Sequence, residues 1–310
     1  MKKEFKPNAV YQIVTDQIVN QMKLGRIPWR KPWSNSNYRN KGDDLNMVSK
    51  RAYSGINVFL LESAGYTSNW WGTFKQIQAK GGHVRKGEKS TIIVFWKMLK
   101  VSKKGAQPGE VSEDNIPMLR YYRVFNEEQC EGLDLPQPDK PTIGDAEEFD
   151  SIQAAEDISI EYLNGQDGLD VKHGGNRAYY SPGLDHIQMP PKKAFKNPGE
   201  YYSTLFHEMG HSSGHKSRLN RKEILEPSFF GSHDYSREEL VAEMTAAFLC
   251  REAGINNTVK NSSAYIQSWL RKFEDDPKAL VLAASRANKA ANYIRGRKSD
   301  YKPEISTAKA

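Results

Sequence analysis

Apolar residues recur at helical spacing over residues 8–24, where Val10, Ile13, Val14, Ile18 and Met22 form one stripe and Gly25 ends it, which predicts an amphipathic first helix. Two prolines in the following RIPWRKPW preclude a regular helix and predict an extended basic-aromatic segment. Short helices are predicted over 54–65 and 73–80. GGHVRKGEK then reads as a tight turn into the strand STIIVFWKML, rich in β-branched and aromatic residues, with LRYYRVFN as its antiparallel partner across a polar stretch. Three prolines and a glycine in LDLPQPDKPTIGD mark a linker at 133–145. Beyond it the pattern predicts a helix over 146–164 and an edge strand or hairpin in RAYYSPGLDHIQMP, broken by Pro182 and Gly183. Helices follow at about 199–215 and 236–252, and two more fill the tail, the second starting at Pro277 with Asp276 as its N-cap. The expected class is α+β: a basic domain of helices with a small antiparallel sheet over 1–132, the linker, a mainly helical domain with an edge strand over 146–297, and a disordered tail over 298–310.

Charge divides the chain. Residues 1–125 hold 22 Lys and Arg against 9 Asp and Glu, a surplus of +13, whereas the remainder is at −6. A basic half interleaved with aromatic rings suits a polyanion, and single-stranded DNA is the expected partner, because bases stack on rings while phosphates meet cations. Duplex DNA is a second candidate partner. The residues proposed for this work are Trp29, Arg30, Lys31, Trp33, Tyr38, Arg39, Arg51, Tyr53, Trp70, Lys75, Arg85, Lys86 and Lys89; Phe95 and Trp96 are expected in the core. Cys130 and Cys250 lie far apart and outside any CxxC pattern, which excludes a disulfide framework and a thiolate metal cage. No apolar run approaches a membrane span and the start has no leader-like apolar stretch, so a soluble cytoplasmic protein is expected, without a membrane partner.

Candidate chemistry sits in YYSTLFHEMGHSSGH. His207 and His211, four residues apart on a helix, share a face and can grip one ion, while Glu208 lies near enough to act as general base on a water. A tetrahedral zinc needs a third protein ligand. The His-x-x-Gly-x-x-His extension would require histidine at position 217, which is Ser217, and His215 follows too closely behind His211. Downstream, SREELVAEMTAAFLC offers Glu239 and Glu243 on a second helix, one to coordinate and the other to accept the outer N–H of a ligand imidazole. Tyr235 and His233 are candidate oxyanion donors.

HExxH followed by Glu-x-x-x-Glu resembles gluzincin-type metallopeptidases. The resemblance implies that Glu239 is the ligand and Glu243 its outer partner, although Glu243 stands where Asp or Asn is common, which leaves the two roles open to exchange. The segments PWRKPW, YSGIN, TFKQIQAKGGHVRKGEKSTIIVFW, VFNEEQCEGL, YYSTLFHEMGHSSGH and REELVAE occur in the order seen in ArdC-type antirestriction proteins of conjugative plasmids, and the similarity spans about residues 5–295. It implies an N-terminal single-stranded-DNA-binding domain, a C-terminal zincin-like metallopeptidase domain with zinc or another divalent metal, an unidentified protein substrate, and protection of incoming DNA from restriction. The alternative is a non-catalytic DNA-coating protein with a structural metal.

Overall fold

A computed structural model describes residues 8–30, 43–104, 111–136, 151–225, 233–255, 263–297 and 304–307. Helix α1, Asn8–Lys23, turns Val10, Val14, Ile18 and Met22 inward, and Gly25 closes it in a left-handed conformation (φ 76°). A single 3₁₀ turn, Pro28–Arg30, carries Trp29 into the interior. The chain then lays down β1 (Leu45–Asn46), α2 (Ile56–Glu62), β2 (Trp70–Gly72), α3 (Phe74–Ala79, capped by Thr73 and Gln76), β3 (His83–Val84), β4 (Thr91–Lys104), β5 (Val111–Asn126) and β6 (Cys130–Glu131).

Strands β4 and β5 form an antiparallel hairpin in which Thr91 faces Val124 and Phe95 faces Arg120. Its polar stretch extends the pairing as far as Lys104 opposite Val111 instead of separating the strands. The sheet order is β1-β2-β5-β4-β10, the last being Glu304–Thr307, which pairs parallel to β4 with Glu304 opposite Lys97. This corrects the expectation of a disordered tail for these four residues, since the free edge of β4 offers unpaired backbone groups and EIST contains two β-branched residues.

The second half consists of α4 (Ser151–Asn164), a three-stranded sheet ordered β7-β9-β8 (Asp170–His173, His186–Met189 and Tyr179–Ser181), then α5 (Pro198–Ser212), α6 (Lys222–Leu225), α7 (His233–Ala253), α8 (Ser263–Asp275) and α9 (Pro277–Ile294). Strands β8 and β9 are the hairpin expected from sequence, with β8 at one edge. Asp276 caps α9 by accepting from Lys278 N at 3.1 Å. No helix among the described residues is long and apolar enough to cross a membrane.

Each half has buried clusters of its own, such as Tyr53, Leu61, Trp71, Ile93 and Val124 in the first and Tyr202, Leu205, Phe206 and Leu249 in the second, but the largest is shared. One buried cluster unites Val10, Val14, Ile18 and Met22 of α1, Trp29, Phe59 of α2, and Val94 and Leu119 of the hairpin with Val241 and Met244 of α7, Phe273 of α8 and Leu280 and Ala284 of α9. Alanines 283, 284, 287, 290 and 291 let neighbours approach α9 closely. Across the same seam Thr15 Oγ1 donates to Pro277 O at 2.8 Å, and Arg251 on α7 is held by Glu62 and Asp43. The linker expected at 133–145 is described only to residue 136; there Leu135 is buried and Pro136 O accepts from the Trp70 indole, so these residues pack as part of the fold.

Candidate metal centre

Helix α5 starts where Asn197 Oδ1 accepts from Glu200 N at 2.9 Å and Pro198 takes the first turn. Its apolar face of Tyr202, Leu205, Phe206 and Met209 packs into a core shared with Ala246, Leu249 and Cys250 of α7. Contact between the helices is closest at Gly210, where a Cβ would lie 3.1 Å from Ala242 Cα and 3.3 Å from Thr245 Cβ. That approach sets Glu239, three residues before Ala242, against the histidines of α5.

His207, His211 and Glu239 each present a donor atom, all within 4.8 Å of one another. The two Nε2 atoms are 3.1 Å apart, and Glu239 stands 3.5 Å from His207 Nε2 and 3.4 Å from His211 Nε2. Donors about 2.0–2.1 Å from a common tetrahedral ion stand about 3.3 Å from each other, so two imidazoles and a carboxylate at these spacings fit a divalent metal. Glu208, adjacent in sequence, is buried.

Behind His211 a second layer fixes the ring. Its Nδ1 faces Glu238 Oε1 at 3.4 Å, which favours a proton on Nδ1 and a free lone pair on Nε2. Arg221 holds Glu238 with both arms, Nη2 to Oε1 at 2.6 Å and Nε to Oε2 at 3.0 Å, and also donates to Gly210 O and Ser213 Oγ. Burial opposes ionisation of Glu238, but His211 and Arg221 outweigh it and lower its pKa. Burial likewise disfavours an imidazolium at His211, yet the Glu238 and Glu239 carboxylates prevail and raise its pKa to about 10, so a proton competes with a metal at this ring. Lys272 of α8 lies near enough to feel Glu239 and Glu243; burial lowers its pKa and those charges oppose the shift.

Glu243 departs from expectation. Its Oε2 accepts from the Trp29 indole at 3.3 Å, and the carboxylate beside the outer nitrogen of His211 is Glu238. Glu238 and Arg221 are the site residues missed from sequence. REEL does place Glu238 next to Glu239, but the arginine comes from a loop 17 residues away in the chain. Tyr235 and His233 fall in the first turn of α7, and their side chains lie outside the described residues.

Among the described residues, the expected stacking rings are interior. Trp29 is 0% exposed between Phe59 and Phe273, Tyr53 is 7% exposed and Trp70 6%. A ring sealed in a core has no face for a base, so these three are corrected to packing roles. Arg51, Lys75, Arg85, Lys86 and Lys89 are exposed, although Arg85 is engaged by Glu88 and the Glu128 carbonyl. Lys31, Trp33, Tyr38, Arg39 and the side chain of Arg30 lie outside the described residues. Conversely, Phe95, expected in the core, is 40% exposed, and Trp96 is half-buried.

Comparison with known proteins fits this geometry. Residues 8–125 match the family described as the N-terminal domain of anti-restriction factor ArdC, and residues 159–286 match the zincin-like metallopeptidase family. The crystal structure of antirestriction ArdC protein from plasmid R388, in its metal-free form, is 35% identical with a TM-score of 0.70, covering 95% of this chain and 99% of that one. Its Mn(II)-bound form gives 34% and 0.68, covering 94% and 99%. An uncharacterized protein of Sinorhizobium fredii, y4eC, is 34% identical over 95% of this chain and 94% of its own length. Escherichia coli DNA primase TraC is 33% identical over 92% of this chain, which spans only 20% of that protein.

Proposed function

The chain belongs to the ArdC family of antirestriction proteins, and we propose on that basis that it shields the DNA of a mobile element from restriction, binding single strands through its N-terminal half and carrying a zinc metallopeptidase-type centre. The observation that carries the reading is the convergence of His207, His211 and Glu239 within 4.8 Å, beside buried Glu208. Two imidazoles and one carboxylate suit zinc, with manganese as the competitor to test. Three protein donors among the described residues, rather than four, favour a coordination position left to water and substrate.

A divalent ion bound there supplies a Lewis-acid charge that acidifies water and polarises a carbonyl. Glu208 takes the proton from the attacking water and delivers it to the leaving amine. Glu238 and Arg221 keep His211 in its ligating tautomer. Strand β8, an edge of its sheet with Tyr179 exposed, is suited to pairing with an extended peptide. DNA binding is supported by the surplus of +13 over residues 1–125 and by the family matched there.

Metal analysis and peptide cleavage test the centre together. His207→Ala, His211→Ala and Glu239→Ala should each empty it, whereas Glu208→Ala should keep the metal and lose cleavage of a peptide library. Cleavage at the wild-type rate by Glu208→Ala would sink the peptidase reading.

A further inference from the structure

The hairpin β4–β5 has one face on which the core runs out. Cross-strand partners and alternate residues share a face, so Ile93, Phe95 and Lys97 of β4 stand with Tyr122 and Arg120 of β5. At the inner end Ile93 and Val124 are buried against Tyr53, Leu61 and Trp71. One residue pair further out, Phe95 is 40% exposed and Tyr122 37% exposed. Their rings meet edge to face, with centroids 5.8 Å apart at 68°, and the buried ring of Tyr53 backs Phe95 at 6.1 Å. These rings are thus held in place from behind while a side remains open to solvent. Arg120, directly across from Phe95, is exposed, and Lys97 lies next along the same face.

We propose that this face is the base-stacking platform for single-stranded DNA, with bases against Phe95 and Tyr122 and the phosphate backbone against Arg120 and Lys97. It rests on the reading that the N-terminal half binds single strands, and it says where. Charge complementarity favours a polyanion: Arg120 and Lys97 outnumber Glu304, the cross-strand partner of Lys97, and the platform lies in the half with the +13 surplus. Pre-fixed rings lose little conformational freedom when a base stacks on them, and stacking needs no base-edge reading, so binding is expected to be tolerant of sequence. Tyr121 and Arg123, although exposed, point to the opposite face with Val94 and Ile92 and are not part of it.

The test uses the full chain and a fluorescent oligothymidine. Phe95→Leu and Tyr122→Leu keep an apolar side chain but remove the π-face; each should weaken binding about 5- to 100-fold while the melting temperature stays near wild type. Arg120→Ala should weaken binding and reduce the salt slope by about one. Phe95→Trp should bind at least as well as wild type, and its added fluorescence should be quenched by the oligonucleotide. Wild-type affinity in both folded leucine variants, or binding by Phe95→Trp without extra quenching, overturns the platform and leaves DNA binding by this half standing. A wild-type chain that does not bind single strands overturns both.

Discussion

Arg221 is the residue on which the second layer of the centre turns. With Arg221→Ala, Glu238 would remain buried facing His211 without its bidentate cation, and stranding a buried charge costs about 3–5 kcal/mol. Glu238 would then gain a proton or draw His211 towards it, and loss of an outer partner of this kind typically lowers metal affinity about 10- to 100-fold. Arg221→Lys keeps the charge but not the fork, so it should fall between the two. Thermal melts and zinc titrations check this; an Arg221→Ala protein with wild-type values in both would show that Glu238 needs no cation. The inner residues were legible because α-helical geometry converts an interval of four into a shared face, so HEMGH and EELVAE specify their own geometry. Arg221 was not, because a loop contact leaves no periodic trace. Trp29 misled for a different reason: beside Arg30 and Lys31 it reads as a stacking ring, yet the same indole can fill a core provided its N–H finds an acceptor, and Glu243 is that acceptor.

Between elements, the decisive contact is α5 on α7 at Gly210. Adding a methyl there brings about 1 kcal/mol of helix propensity. It also forces backbone at Ala242 and the Thr245 side chain to move by a few tenths of an ångström, and overpacking of this sort costs about 1–3 kcal/mol. The net effect on stability is a loss of about 0–2 kcal/mol. The site is affected directly, since moving α7 carries Glu239 away from His207 and His211. Gly210→Ala should therefore lower the melting temperature modestly and weaken zinc binding clearly, and an unchanged zinc titration would show that the helix spacing is not what sets the ligand geometry. Elements with strong local signals were readable: α1, α5, α9 with its Asp276 cap, and the β4–β5 pair. Strand β7 and strand β10 were not, because DVKH is a short polar segment and EIST lies in a charged tail, and each is a strand only by virtue of a distant partner, β9 or β4. Phe95 belongs to the same class of failure, for its hydrophobicity says core while the register of the hairpin puts it where the core ends.

At the scale of the whole molecule the proline-rich break and the opposite charges of the halves suggest two independent units, and the shared core argues otherwise. Val10, Val14, Ile18, Val19, Met22, Ile27 and Trp29 are all buried in one cluster with α7, α8 and α9. Burying such side chains is worth about 1.5–3 kcal/mol apiece. Even if a fragment of residues 1–130 hid half of that surface by rearranging, it would forfeit roughly 5–10 kcal/mol, which is comparable with the whole stability of about 5–15 kcal/mol of an ordinary domain. Cutting the chain would also take Trp29 from Glu243, one turn beyond Glu239 on α7, so that helix would lose a hydrogen bond supplied by the basic half. The isolated fragment should therefore melt without cooperativity or be found insoluble, and its single-strand affinity should fall well below that of the full chain. Added residues 151–297, supplied as a second polypeptide, should restore part of both. Circular dichroism melts and oligothymidine binding on the fragment, the mixture and the intact chain decide the matter: a fragment that melts cooperatively and binds with full affinity by itself would show that the cluster joining the halves is dispensable to the basic half.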